Sequence, residues 1–141
     1  MGRTGSCVNY HSADRLIWLN EYMLMRSGGL YVAGDDNVAN RDSLDYLVEA
    51  VSGFAYGKEL HEGLCRKAAA YAYHIICDHV FRDGNKRTGM EAAFLFLFLN
   101  GRPVTAATDE AVVDVALRVA NGNMAVDHLA DWLESVSSPA G

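Results

Sequence analysis

The stretch from Ala92 to Leu99 limits the possible folds of this chain more than any other, because all of its residues are apolar. A helix that is apolar on every side normally lies in the interior of a protein. The run is too short to cross a membrane, which takes about 18 apolar residues or more. The sequence therefore predicts a central buried helix that ends at Asn100 and Gly101.

Apolar residues recur at helical spacing in the segments before and after this run. No internal repeat and no strong strand pattern is present, so the sequence predicts an all-α, compact single-domain bundle of six or seven helices. We expect the domain to span residues 11–137, between a flexible start (residues 1–10) and a short tail (residues 138–141). The expected helices are one capped by Ser12 that runs to about Arg26, one capped by Asp42, one from about Glu59 to Asp78, one from Gly84 or Asn85 to Leu99, one capped by Thr108 or Asp109, and one from Met124 to about Val136.

The composition excludes some classes of function. The chain has 141 residues, and half of them are hydrophobic, which is enough for one domain with a real core. A net charge of −6 argues against nucleic acid as the main partner, because binding to a phosphate backbone needs a basic face. The three cysteines, Cys7, Cys65 and Cys77, have no metal-binding spacing, and we expect the last two to fill apolar space. With no signal peptide apparent, the expected location is a reducing cytoplasm, without a membrane partner.

The segment from His79 to Thr88 is the part of the chain that helix packing does not explain. Gly84 stands where a helix is expected to begin, and the first N–H groups of a helix form a binding site for anions, phosphate above all. Lys86 and Arg87 add positive charge there, and Arg can bind a phosphate through two parallel hydrogen bonds. The pattern therefore predicts a phosphate site at this helix start.

Other residues of the segment supply further chemistry. Asn85 can donate an amide N–H to a phosphate oxygen. Asp83 would repel phosphates unless Mg²⁺ lay between them, and Mg²⁺ is commonly held by one or two carboxylates together with phosphates. His79 can exchange a proton near neutral pH. Taken singly, these residues are common in turns and on solvated surfaces, and Phe81 is expected only to anchor the loop in the core.

The pattern His-x-Phe-x-Asp-Gly-Asn-Lys-Arg-Thr from His79 to Thr88 resembles the signature of the Fic/Doc superfamily, closest to the death-on-curing toxins. The helices expected on both sides of it, Leu60 to Asp78 and Ala92 to Gly101, are similar to those that flank the motif in that family. The resemblance implies the Fic fold, with the active loop between a long helix and a central buried helix. It also implies His79 as the catalytic base, Asp83 as the metal ligand, and ATP with Mg²⁺ as cofactors.

Three positions bear on which reaction the resemblance implies. Adenylylating Fic enzymes have glycine at the position of Lys86 and a second arginine at the position of Met90. Both differences favour the death-on-curing pattern, in which the γ-phosphate is transferred. Gly84 is the Fic-like feature, because death-on-curing toxins often have alanine there. Transfer of the γ-phosphate of ATP, transfer of AMP, and an inactive binding module therefore all stay open.

The resemblance also implies partners. The expected target is a Ser or Thr hydroxyl of another protein, by resemblance elongation factor Tu, so that translation would stop. The chain lacks the Ser/Thr-x-x-x-Glu-Gly/Asn pattern of the helix that inhibits many Fic enzymes. A separate antitoxin protein is therefore the expected regulator, and Leu30 to Arg41 and Phe54 to Lys58 are candidate contact surfaces. The sequence does not predict an oligomeric state.

Overall fold

The computed structural model of the chain describes residues 8–28, 37–55, 58–59 and 63–140. Six helices and one short pair of strands make up the regular structure of this part, which confirms the predicted all-α bundle. Some of the predictions fall outside the described residues. These are the ones on residues 1–7, which include Cys7, on most of the candidate surface from Leu30 to Arg41, and on the side chains of the surface from Phe54 to Lys58. The elements are α1 (Ala13–Ser27), α2 (Arg41–Ser52), β1 (Phe54–Ala55), β2 (Lys58–Glu59), α3 (Leu64–Cys77), α4 (Asn85–Leu99), α5 (Asp109–Ala120) and α6 (Val126–Val136), with β1 antiparallel to β2.

Helix α4 packs against α1, α3 and α5, whereas α3 is the most central helix and packs against α2, α4, α5 and α6. Ala92, Ala93, Phe96 and Leu97 are completely buried, as the apolar run predicts. The prediction that the run is buried on every side is wrong for Phe98, whose side chain is 65% exposed. Phe94, Leu95 and Leu99 are only partly buried, so the neighbouring helices leave part of the surface of α4 uncovered.

Two helix starts follow the predicted caps, since the side-chain oxygen of Ser12 accepts a hydrogen bond from the Arg15 N–H, and that of Thr108 from the Ala111 N–H. Three other predicted starts are wrong. The cap of α2 is Asn40 rather than Asp42, because the Asn40 side chain accepts from the Ser43 N–H and begins the helix two residues earlier. Glu59 belongs to β2, so α3 begins at Leu64 rather than at Glu59. Helix α6 begins at Val126 rather than at Met124.

The two described cysteines lie in the interior, Cys65 buried and Cys77 partly so. Burial is the main reason why the pKa of each thiol is raised above its ordinary value. Both side chains therefore stay neutral at pH 7, as expected of apolar fillers. Within the described ranges, none of the helices has the length and the apolar content that crossing a bilayer requires.

Candidate active site

His79 lies just after the end of α3, in a left-handed backbone conformation with φ of 48°. This conformation is uncommon for a residue other than glycine and persists only where the surroundings impose it. Val80 and Phe81, which follow directly, are buried and hold this part of the chain against the core, as predicted for Phe81. The strained turn leaves the imidazole of His79 exposed at the surface.

The loop after His79 is held from outside by the segment that precedes α2. The N–H of Ala39 donates to the Val80 carbonyl at 2.8 Å, and the N–H of Arg82 donates to the Asn37 carbonyl at 2.9 Å. Between these bonds, Val38 and Phe81 form an isolated antiparallel bridge. The backbone on both sides of Phe81 is therefore fixed by hydrogen bonds to a second segment.

The side chain of Asn85 fixes the same loop from the inside. Its Oδ1 accepts from the Phe81 N–H at 2.9 Å, and its Nδ2 donates to the Phe81 carbonyl at 2.8 Å. The sequence predicted that this amide would donate to a phosphate. One of its two amide hydrogens is used within the loop, so only the other could contact a ligand.

Asn20 of α1 holds the loop in place, and the sequence interpretation missed it. Its side chain is completely buried, and its Nδ2 donates to the Asp83 carbonyl at 2.9 Å and to Thr88 Oγ1 at 3.1 Å. It therefore joins α1 to the loop and to the first turn of α4. The available signal was an amide within the apolar face that Leu16, Leu19 and Leu24 form along α1.

Gly84 begins α4 in a left-handed conformation with φ of 75°. A Cβ atom at this position would lie 2.9 Å from Leu24 Cδ2, so α1 packs directly against the glycine. The Gly84 N–H donates to Asp83 Oδ1 at 2.8 Å and orients that carboxylate. No described side chain caps the first turn, which leaves the amides of Asn85, Lys86 and Arg87 at the positive end of the helix.

The first turn of α4 opens into a cavity of about 440 Å³ between α1, α4 and α5. We call the polar end of this cavity the mouth. His79 and residues 82–87 line the mouth, and they include every residue predicted to be catalytic, to bind metal or to bind phosphate. Phe81, the predicted anchor, lies in the core instead. The remainder of the lining is Met23, Ile76, Met90, Glu91, Phe94, Val112, Val113, Ala116, Leu117 and Ala120.

Comparison with known proteins bears on the family of the chain. The sequence profile of the Fic/DOC family matches residues 10–97, which is more than half of the chain. The chain belongs to the Fic/DOC family. It is 29% identical over 124 residues to Toxin Doc of Mycolicibacterium smegmatis, a match that covers 87% of this chain and 95% of that protein. It is 30% identical over 136 residues to Protein kinase doc of Escherichia phage P1, covering 94% of this chain and 99% of that protein. The resemblance inferred from the motif is thus confirmed.

The mouth of this Fic/DOC protein is positively charged although the whole chain is acidic. Lys86 and Arg87 are exposed, and neither forms a salt bridge with another described residue. Arg82 also lines the mouth. Exposed cations beside open helix amides are suited to a multiply charged anion.

The far end of the cavity, which we call the inner end, is apolar. Val113 and Leu117 of α5 are 59% and 44% exposed, and both line this end. Between the two ends lies Glu91, a half-buried carboxylate that the sequence interpretation also missed.

The residues at the mouth fit Mg²⁺ only together with a bound molecule. Within the described residues, no group of three or more His, Cys, Asp and Glu side chains could hold a metal ion. Asp83 offers one oriented carboxylate, and Mg²⁺ is typically bound by one or two carboxylates plus substrate phosphates. The mouth can therefore take the ion as a phosphate complex, with Asp83 as its protein ligand.

Proposed function

We propose that this protein is a toxin-like enzyme that transfers the γ-phosphate of ATP to a Ser or Thr hydroxyl of a target protein. The observation that carries the proposal is the polarity of the cavity, with cations and open amides at the mouth and apolar side chains at the inner end. A nucleoside triphosphate matches this polarity in one direction only. Its phosphates belong at the mouth and its base at the inner end, so the terminal phosphate lies beside His79.

In this orientation each residue of the motif has a role. His79 takes the proton of the target hydroxyl while the hydroxyl oxygen forms a bond to the γ-phosphorus and the bond from that phosphorus to the β–γ bridging oxygen breaks. ADP leaves with the electron pair of the broken bond. The amides of Asn85, Lys86 and Arg87 hold the phosphate chain, and the Lys86 and Arg87 side chains neutralise the charge that develops.

Asp83 would hold Mg²⁺ against the phosphates, and the ion would supply further neutralisation of their charge. The Gly84 N–H that orients this carboxylate is part of the same turn. Asp83 and the phosphate-binding amides are therefore positioned by a single rigid segment. Asn85 supports that segment through Phe81 and can offer its second amide hydrogen to a phosphate.

Transfer of AMP is the rival reaction, and Gly84 is the residue that favours it by resemblance to adenylylating enzymes. In that reaction the α-phosphate would face His79, and the β- and γ-phosphates would extend towards the inner end. There they would meet Met90, Phe94 and the carboxylate of Glu91, none of which stabilises an anion. The third possibility, an inactive binding module, does not account for the complete set of motif residues at the mouth.

The names of the relatives support a toxin with a separate antitoxin, and the target is proposed from the family resemblance of the motif. One relative is named as a toxin and the other as a protein kinase, and both match over nearly their whole length. We propose that a separate antitoxin protein restrains this enzyme and that elongation factor Tu is its target. Modification of that factor would block translation.

The proposal is tested with purified elongation factor Tu, Mg²⁺ and ATP labelled at either the α- or the γ-phosphorus. We expect label from γ-labelled ATP alone to appear on the target, together with a mass increase of one phosphate. His79→Ala should abolish the transfer, whereas His128→Ala, an exposed histidine on α6, should leave it unchanged. Label from α-labelled ATP would establish AMP transfer, and growth inhibition that survives His79→Ala would reject catalysis altogether.

A further inference from the structure

Glu91 lies where the two ends of the cavity meet. It follows Arg87 by four residues on α4, so the two side chains lie on one face of the helix, about 6 Å apart along its axis. Arg87 belongs to the mouth, and Phe94, three residues beyond Glu91, belongs to the inner end. If the phosphates occupy the mouth and the base occupies the inner end, the sugar between them lies beside Glu91.

The surroundings of Glu91 do not explain a carboxylate. Within the described part of the chain the side chain of Glu91 forms no hydrogen bond or salt bridge, and its neighbours in the cavity include Met23, Met90 and Phe94. Burial raises the pKa of Glu91, and the positive charge of Arg26 on α1 only partly offsets this effect. Because this carboxylate is half-buried, a ligand that covers it must replace the remaining water with hydrogen bonds of its own.

We propose that Glu91 is a specificity-determining residue that accepts hydrogen bonds from the ribose hydroxyls of the bound nucleotide. The inference rests on the proposed function, because it requires a nucleoside triphosphate in the cavity. A carboxylate accepts hydrogen bonds and donates none, and neighbouring ribose hydroxyls are donors of matching geometry. Acidic side chains recognise the ribose hydroxyl in the same way in dinucleotide-binding folds.

The same side chain also opposes the reversed nucleotide. A carboxylate repels phosphate groups, and the repulsion is stronger beside apolar neighbours than in bulk water. With Glu91 beyond Arg87, the phosphate chain is kept at the mouth and the sugar is held at the junction. Recognition of the ribose and choice of the transferred phosphate therefore depend on one position of α4.

The test compares the binding of ATP, 2′-deoxy-ATP and 3′-deoxy-ATP in the presence of Mg²⁺ by titration calorimetry. The wild-type chain should bind ATP roughly tenfold or more tightly than at least one of the deoxy analogues, since a hydrogen bond to a charged group is lost. Glu91→Ala should reduce that preference to about twofold or less, and Glu91→Gln, which retains one acceptor oxygen, should keep part of it. Glu49→Ala, at an exposed position on α2, is the matched control and should keep all of it.

Each outcome decides the question. Equal binding of all three nucleotides by the wild type, with phosphate transfer intact, would overturn the role of Glu91 and leave the proposed function standing. A preference for ATP that persists in Glu91→Ala would also overturn it. Failure of the wild type to bind ATP would overturn both proposals. The wild-type comparison needs no variant, so it remains decisive even if Glu91→Ala does not fold.

Discussion

Helices α3 and α4 begin in nearly the same way, yet only the start of α4 has the features of an anion site. Each begins at a glycine with positive φ, 82° at Gly63 and 75° at Gly84. Glycine has no side chain that could accept a capping hydrogen bond, so the first amides of both helices stay uncapped. Each has an arginine three residues later, Arg66 in α3 and Arg87 in α4. A cavity adjoins both starts, of about 420 Å³ at α3 and about 440 Å³ at α4.

The charges around the two starts differ. At α3, Arg66 forms a salt bridge with Asp127, and Asp131 and Glu134 also line the cavity. At α4, Arg87 has no such partner among the described residues and lies beside Lys86. The backbone of a glycine-led helix start thus supplies amides, but cations that the protein itself does not neutralise make the start attractive to phosphate.

The two starts also differ in how firmly they are held. A Cβ atom at Gly63 would meet no described atom within 4 Å, whereas at Gly84 it would meet Leu24 and the amide of Asn20. Asn20 binds both the loop before α4 and Thr88 in its first turn. A site for group transfer needs this rigidity, because small displacements of the reacting groups slow the reaction strongly.

The largest expected difference is between two single variants, each of which removes the arginine three residues after the glycine of one helix start. Arg87→Ala should lower phosphate transfer by about 10²-fold to 10³-fold, because a preorganised cation beside the transferred phosphate is lost. Arg66→Ala should leave the rate within about twofold of wild type and cost less than about 1 kcal/mol of unfolding free energy, as a surface salt bridge does. Initial rates with γ-labelled ATP and urea unfolding measure the two quantities. Equal losses of rate in both variants would remove the distinction between the two helix starts.

Asn20 distinguishes the two starts by a tertiary contact. Asn20→Ala leaves the Asp83 carbonyl and Thr88 without their donor, so the free energy of unfolding should fall by about 1–3 kcal/mol. Because the loop also loosens, transfer should slow by roughly tenfold to a hundredfold. Ser137→Ala, near the start of α3, is the control. It removes a buried hydroxyl that binds the Leu133 carbonyl and should destabilise the chain without slowing transfer. A slow Ser137→Ala enzyme would mean that general instability explains the effect.

The sequence predicted the parts of the site that are local in the chain. Three features depend only on neighbours within a few residues. They are the helix periodicity, the caps at Ser12 and Thr108, and the motif at the start of α4. Asn20 was missed because it binds Asp83, 63 positions away, a pairing that only packing creates. The predicted start of α3 failed at Glu59, because two-residue strands have no detectable period. The cavity arises only when α5 packs beside α4, so the sequence did not predict that Glu91 lines it.

Alanine at the two glycines tests how tightly each helix start is packed. Both changes force alanine into a left-handed conformation, which costs about 1–2 kcal/mol. Gly84→Ala should cost about 1 kcal/mol more, because its Cβ atom crowds Leu24 in the core. The difference between the two variants in urea unfolding measures this packing term. If Gly63→Ala proves equally costly, the contact with α1 does not distinguish the two starts.

The smallest expected effect is on the free energy of unfolding, when one glutamate of each cavity, Glu91 or Glu134, is replaced by glutamine. The pKa of Glu91 is raised by burial, so in the folded chain its carboxylate holds a proton more tightly than in the unfolded chain. The wild type therefore loses stability as pH rises from the unfolded value of about 4.3 through the folded value. Glu91→Gln removes this loss and should gain less than about 1 kcal/mol at pH 7, because water screens the half-exposed group.

The gain of Glu91→Gln should disappear near pH 4, where Glu91 is largely protonated in both states of the wild type. Glu134→Gln provides the contrast, because Glu134 lines the α3 cavity and pairs with Arg102 at 3.3 Å. Losing that pair should leave stability at pH 7 unchanged or slightly lower. Urea unfolding of both variants at pH 7 and pH 4 measures the two differences. A destabilising Glu91→Gln at pH 7 would mean that the folded chain itself satisfies this carboxylate, which would then be part of the scaffold and not a group awaiting a ligand.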